Sequence, residues 1–167
     1  MTPDTVIEDD RWHDLDRLAA SAVPATLRDA GLDPDACEVV VMGCDDARIA
    51  ALNAQFRGKP VPTNVLSWPS EERGAATPGG DPVPPADLAL GDVAIAYETC
   101  AREAAAQGKA FDAHVTHLLV HATLHLLGFD HRTQPDARRM EGAEVRILAA
   151  LGLPDPYADD ILTPADL

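Results

Sequence analysis

The chain has 167 residues, 46% of them hydrophobic and 25% charged, which is ordinary for a soluble globular domain with one buried core. Twenty-eight acids stand against thirteen Lys plus Arg, for a formal net charge of −15, and only 4% of residues are aromatic. The charge argues against a generic nucleic-acid-binding face, and the scarcity of rings argues against a base-stacking platform for single strands.

Trp12, Leu15, Leu18, Ala22 and Val23 recur at helical spacing, and Pro24 interrupts them. This predicts one helix, kinked or broken near Pro24 and ending at Gly31. Val39-Val40-Val41-Met42 is a short apolar strand. Asp45 can cap the next helix, whose inner face is Ile49, Leu52 and Phe56. A loop follows from Arg57 to Pro62, then a second strand from Thr63 to Trp68, stopped by Pro69. Residues 70–89 carry Gly74, Gly79, Gly80 and prolines at 78, 82, 84 and 85, with no periodic apolar pattern. They predict a long mobile loop.

Gly91 to Ala96 reads as a third strand, and Glu98 to Gln107 as a helix stopped at Gly108. A histidine-bearing helix follows, from Phe111 to Leu127. Thr133-Gln134-Pro135-Asp136 resembles a capping box with Asp in place of Glu. It starts a last helix with Met140, Ile147, Leu148 and Leu151 inward, closed by Gly152 and Pro154. The acidic tail, 155–167, is expected to be loosely ordered. A fourth strand is expected in Asp4 to Glu8 or in the long loop. No repeat or second domain is visible, so the expectation is one domain over 1–167.

Cys37, Cys44 and Cys100 are odd in number, widely spaced and without a CxxC pair. They read as small buried hydrophobes in a reducing compartment rather than as a zinc ribbon or a disulfide framework. The first residues lack a basic signal-peptide n-region, and no stretch approaches the ~18 consecutive apolar residues of a membrane span. The expected location is cytoplasmic.

The chemistry concentrates in His121-Ala122-Thr123-Leu124-His125-Leu126-Leu127-Gly128-Phe129-Asp130-His131. Four residues turn a helix by about 400°, so His121 and His125 share a face one turn apart. Gly128 can take the left-handed conformation that ends a helix, which lets the chain fold back and bring His131 to the same ion. Three neutral histidines suit zinc, and a three-ligand site keeps a position open for water or substrate. In the peptidase motif HExxH the residue after the first histidine is the general base. Here it is Ala122, which argues against a peptidase. A phosphodiester needs charge stabilisation more than a dedicated base, and an arginine can supply it bidentately. The longest acid-free run, Ala47 to Ser70, holds Arg48, Arg57 and Lys59. His114 and His117 precede His121 on the same helix and read as packed or solvated in preference to supporting a ligand histidine or relaying a proton. Asp130 has two equal readings, orienting a ligand histidine or capping the turn. His13 is expected at the surface.

The histidine run resembles the signature of the YbeY family of bacterial endoribonucleases of ribosomal RNA maturation. Leu52-Asn53 through Phe56-Arg57-Gly58 with Thr63 to Pro69 resembles the family's second block, and Leu90 to Ile95 its third. Ala122 stands where the family usually has glycine and Phe129 where it usually has tyrosine. The resemblance implies an α+β fold, with a small mixed β-sheet of about four strands packed with about five helices. It implies one Zn2+ on His121, His125 and His131, and a catalytic Arg57 beside it. It also implies single-strand-specific cleavage of ribosomal RNA, including 3′-end processing of small-subunit ribosomal RNA, with ribosomal small-subunit or assembly proteins as partners and neither DNA nor membrane. The alternatives are a non-enzymatic ribosome-assembly factor whose metal holds the fold, and a zinc hydrolase of another substrate.

Overall fold

The computed structural model of the protein describes residues 3–85 and 88–157, and the expected acidic tail lies outside the described residues from 158 onward. Asp4–Ile7 forms β1, which is where the fourth strand was expected, and Leu15–Asp29 forms α1. A 3-10 turn at Pro34–Ala36 leads into β2, Glu38–Cys44, followed by α2, Asp46–Arg57. Next come β3, Val65–Pro69, β4, Ala89–Ala96, and α3, Tyr97–Gln107. The chain continues with α4, Phe111–Leu126, and α5, Gln134–Ala150. The sheet order is β1-β2-β4-β3, with β1, β2 and β4 parallel and β3 antiparallel on the β4 edge. The fold is therefore α+β, with a mixed sheet of four strands and five α-helices.

Alternation along the strands sorts side chains onto two faces. Val39 and Val41 of β2 and Val93 and Ile95 of β4 join the main core with α1, α4 and α5. Cys44, Ala94, Ala96 and Leu66 face the other way, against Ile49 and Leu52 of α2. The parity slips once. The β2–β4 register jumps between Glu38 and Val39, which pair with Ala89 and Gly91. The extra residue is Leu90, and so both Leu90 and Val93 reach the main core. Gly91 carries the bulge at φ 142°, and a Cβ there would lie 2.1 Å from the Trp68 carbonyl oxygen.

α1 is the one helix expected, and it runs through Pro24 without a break. The buried face, including Leu15, Leu18, Ala19, Ala22, Val23 and Leu27, outweighs the ~3 kcal/mol that an interior proline typically costs. Phe56 is not on the inner face of α2, where Ile49, Leu52 and Asn53 are the buried residues; it is 56% exposed. The Phe56 ring instead meets Trp68 of β3 edge-on, at 5.5 Å, and lines an open apolar groove with Val6, Met42 and Leu52.

The helix starts follow their caps. Asp45 accepts the Arg48 N–H at 2.8 Å, and Thr133 Oγ1 accepts the Asp136 N–H at 3.2 Å. The three cysteines are buried thiols outside any disulfide. Burial pushes all three upward, Cys44 to about 12, so they act as core hydrophobes.

Residues 70–85 contain neither helix nor strand and are tied down by side chains. Arg73 is buried, donating to the Leu126 carbonyl at 2.7 Å, the Leu90 carbonyl at 3.3 Å and Ser70 Oγ at 2.9 Å. Gly79 N–H donates to Asp136, and Asp81 pairs with Arg139. The Arg73 carbonyl then accepts the Val83 N–H and presses on Gly128, where a Cβ would lie 2.1 Å from that oxygen at φ 99°. Any side chain at 128 meets a strained backbone and a fixed carbonyl. Gly128→Ala is expected to destabilise by at least ~2 kcal/mol, by forcing the Arg73 segment away from the end of α4. Chemical denaturation checks this, with Gly142→Ala, where a Cβ meets open space inside a helix, expected to be neutral or stabilising.

Candidate metal centre

α4 carries His114, His117, His121 and His125, and its C-terminus decides where the chain goes next. Phe129 N–H bonds to the Leu124 carbonyl and Gly128 N–H to the His125 carbonyl, both at 3.0 Å. That pair of bonds is a Schellman turn around a left-handed glycine. It sends the chain back across the open end of the helix. His131 arrives with its ring 5.2 Å from that of His125 and 5.7 Å from that of His121. One nitrogen from each of the three rings lies within 4.8 Å of the others. Three imidazoles converging on one point can hold a metal ion.

The far side of each ring on α4 is anchored. His125 Nδ1–H donates to the Phe129 carbonyl at 2.9 Å, so the turn that stops the helix also orients a histidine on it. His121 Nδ1 lies 3.3 Å from Glu144 Oε1, an acceptor. A carbonyl and a carboxylate both require N–H at Nδ1. The two Nε2 atoms, 3.1 Å apart, then present lone pairs to each other. Two facing acceptors repel unless a cation lies between them, and this donor set therefore fits a metal ion. Burial and the neighbouring His121 and His131 lower the His125 pKa to about 4, which keeps the ring neutral and ligand-competent near neutral pH.

Other histidines and acids find different work. His117 Nε2–H donates to Glu144 at 2.6 Å, so it is neither solvated nor simply packed. His114 is buried against Glu103 at 2.9 Å. Asp130 caps the turn, accepting the His131 N–H at 2.7 Å and pairing with Arg132 at 2.9 Å. His13 and Lys59 are exposed.

Glu144 of α5 was not singled out by sequence reasoning. It is 1% exposed and accepts from His117, His121 and the Tyr157 hydroxyl, the last at 2.9 and 3.0 Å. Burial alone raises a carboxyl pKa, but the hydrogen bonds from His117 and His121 outweigh it and hold Glu144 at about 2. The available signal was helical periodicity. Glu144 stands four residues after Met140 and three before Ile147, on the apolar face of α5, where an acid needs partners.

Two adjoining cavities of about 440 and 330 Å3 open on the cluster. Arg57, Ser67, His125 and His131 line both. Arg57 ends α2, is exposed, and is placed by Gly58, which caps the helix in the left-handed region. Arg73 and Arg132 line the larger cavity, and Asn64, His117 and Tyr157 the smaller. The cleft thus sets the three imidazoles beside the exposed guanidinium-bearing Arg57. Among the described residues no helix is long and apolar enough to cross a membrane.

Known proteins resemble the chain along nearly its whole length. The Ruegeria pomeroyi protein named Endoribonuclease YbeY is 57% identical over 162 residues, covering 94% of this chain and 98% of the relative. The protein of the same name from Paracoccus denitrificans is 60% identical over 156 residues, covering 93% and 90%. The solution structure of a Thermotoga maritima protein superposes with a TM-score of 0.56 at 18% identity, covering 90% of this chain and 92% of that one, and shares its fold. The model of the family described as Endoribonuclease YbeY matches residues 5–152, from β1 to the end of α5, and on that match and those identities the chain belongs to the YbeY family.

Proposed function

We propose that this chain is a zinc-dependent, single-strand-specific endoribonuclease of ribosomal RNA maturation, working as one cytoplasmic domain over 1–167. The observation that carries the reading is the convergence of His121, His125 and His131 in a cleft that also holds Arg57. The family membership supports endoribonuclease activity, and the all-imidazole donor set supports zinc. Cleavage extends to the 3′ end of small-subunit ribosomal RNA in this reading. One ion binds per chain.

His121, His125 and His131 would hold the ion, which when bound would supply Lewis-acid assistance and make water more acidic. The chain's own groups do the rest. Arg57 meets the scissile phosphate from the α2 side and spreads two of its five N–H donors over the non-bridging oxygens, where charge accumulates. The His125 ring stays neutral because it is buried and flanked by two further imidazoles, so the metal need not displace a proton from it. Ala122 is buried and offers no base, which disfavours peptide hydrolysis. A net charge of −15 opposes unaided RNA binding, and it favours a small-subunit or assembly protein that delivers the substrate.

Zinc should copurify at one equivalent per chain and be lost in His125→Ala, since two imidazoles hold the ion weakly. Elemental analysis under chelator-free conditions measures this. RNA cleavage lost in a folded His125→Ala protein separates the enzyme from an assembly factor with a structural metal. Casein and peptide libraries should stay intact under conditions where RNA is cut, and metal-dependent proteolysis abolished by His121→Ala would favour another hydrolase. Arg57→Glu should cost at least ~3 kcal/mol in the transition state, roughly a hundredfold in rate, with Tm and zinc content unchanged. Arg57→Lys should recover only part of that rate, because a point charge lacks the bidentate fork. Cleavage rates at matched zinc occupancy test both, and an Arg57→Glu rate within ~3-fold of wild type removes Arg57 from the mechanism.

A further inference from the structure

A buried titratable group with three side-chain partners and no part in the chemistry above is the Glu144 carboxylate. It lies behind His121 on the side away from the cleft, and it is closed off by His117, His121 and Tyr157. At 1% exposure it cannot touch substrate or serve as a general base to a reacting water. Whatever it does is done through a histidine.

We propose that Glu144 is a positioning residue of the metal centre, holding His121 as its Nδ1–H tautomer with Nε2 presented to the ion, and that His117 and Tyr157 hold the carboxylate in place. The inference rests on the metal-binding reading of the three histidines.

The argument is one of directions. Free imidazole favours the proton on Nε2, so a ligand that uses Nε2 needs an acceptor waiting at Nδ1. His125 has one in the Phe129 carbonyl, supplied by its own turn. His121 sits one turn earlier, where backbone carbonyls are already used by the helix, and so its acceptor has to come from another element. α5 supplies it: Oε1 of Glu144 lies 3.3 Å from His121 Nδ1. The carboxylate also raises the basicity of the ring it holds.

A buried carboxylate is tolerated only with its oxygens satisfied. His117 donates to Oε1 at 2.6 Å, and the Tyr157 hydroxyl reaches Oε1 and Oε2 at 2.9 and 3.0 Å. Tyr157 comes from beyond α5, and its ring also packs edge-on against His117 at 5.7 Å. Three donors from two elements fix the carboxylate more firmly than any one of them.

The test is zinc affinity of the full-length protein, measured by competition with a chromophoric chelator, together with the visible spectrum of the Co2+-loaded protein. Wild type, His125→Ala, Glu144→Gln and Tyr157→Phe are compared. Glu144→Gln keeps the shape but loses the charge, and it should weaken zinc binding by ~10–100-fold while the metal-free protein stays folded. Its Co2+ bands should shift, because one ligand ring is no longer held in orientation. Tyr157→Phe removes one supporting donor and should weaken zinc binding by a few-fold in the same direction. If Glu144→Gln binds zinc within ~3-fold of wild type with an unchanged Co2+ spectrum, the inference fails while the metal reading stands. If Glu144→Gln does not fold, Tyr157→Phe decides, and unchanged affinity and spectrum there overturn the inference. Failure of wild type to bind any ion overturns the underlying reading instead, as does equal binding by His125→Ala.

Discussion

The Arg73 carbonyl oxygen occupies the space where a side chain at position 128 would begin, and much of the site is arranged around that contact. Glycine alone permits it, and at φ 99° glycine also ends α4. The same residue, Arg73, sends its guanidinium to the Leu126 and Leu90 carbonyls. One buried arginine thus satisfies an orphan carbonyl at the end of α4, ties the helix to β4, and sets Glu72, Arg73 and Gly74 in the wall of the larger cavity. The path to His131 leaves from this junction. If the turn opened, His131 would lose its approach and His125 would lose the Phe129 carbonyl that orients it.

Electrostatics divides the work between backbone and side chains. The cleft lies at the C-terminal ends of both α2 and α4, where the helix dipoles are negative. Such ends favour a cation and a guanidinium but repel a phosphate. In a chain of net charge −15 the proposed affinity for a phosphodiester would have to come from a bound ion and Arg57, with Arg132 at the rim of the larger cavity. Imidazole ligands suit this arrangement. They would add no negative charge beside a bound ion, whereas carboxylate ligands would offset part of its charge.

The parts of the molecule that were legible in the sequence are those governed by local rules. The spacing of His121 and His125, the left-handed Gly128, the caps at Asp45 and Thr133 and the stop at Gly108 all follow from a few neighbouring residues, and the structure has each of them. Tertiary context decided the rest. Pro24 stays inside α1 because the helix buries enough apolar surface on either side of it. Phe56 has the spacing of an inner residue but lies exposed along an open apolar groove over the sheet, against Trp68. Arg73 looks like one more charge in a proline-rich loop, and its burial depends on carbonyls that are distant in the sequence. Glu144 broke an apolar face visibly, yet its partners lie 23 and 27 residues away on another helix.

That distribution sets how the site couples to the fold. Two candidate ligands belong to α4 and the third to the turn after it, while the group that orients His121 belongs to α5. A metal ion at the cluster binds only the arrangement in which all these elements are docked. Its binding free energy is then shared with the packing of α5 on α4, through the ordinary linkage between ligand affinity and native-state stability. The reverse also holds. A substitution in the Met140, Ala143, Ile147 and Leu148 face of α5, none of which is near the substrate cleft by chemistry, loosens the seat of Glu144 and with it the presentation of His121. Distance along the chain is a poor guide to which residues serve the cleft; shared burial with the Glu144 carboxylate is a better one.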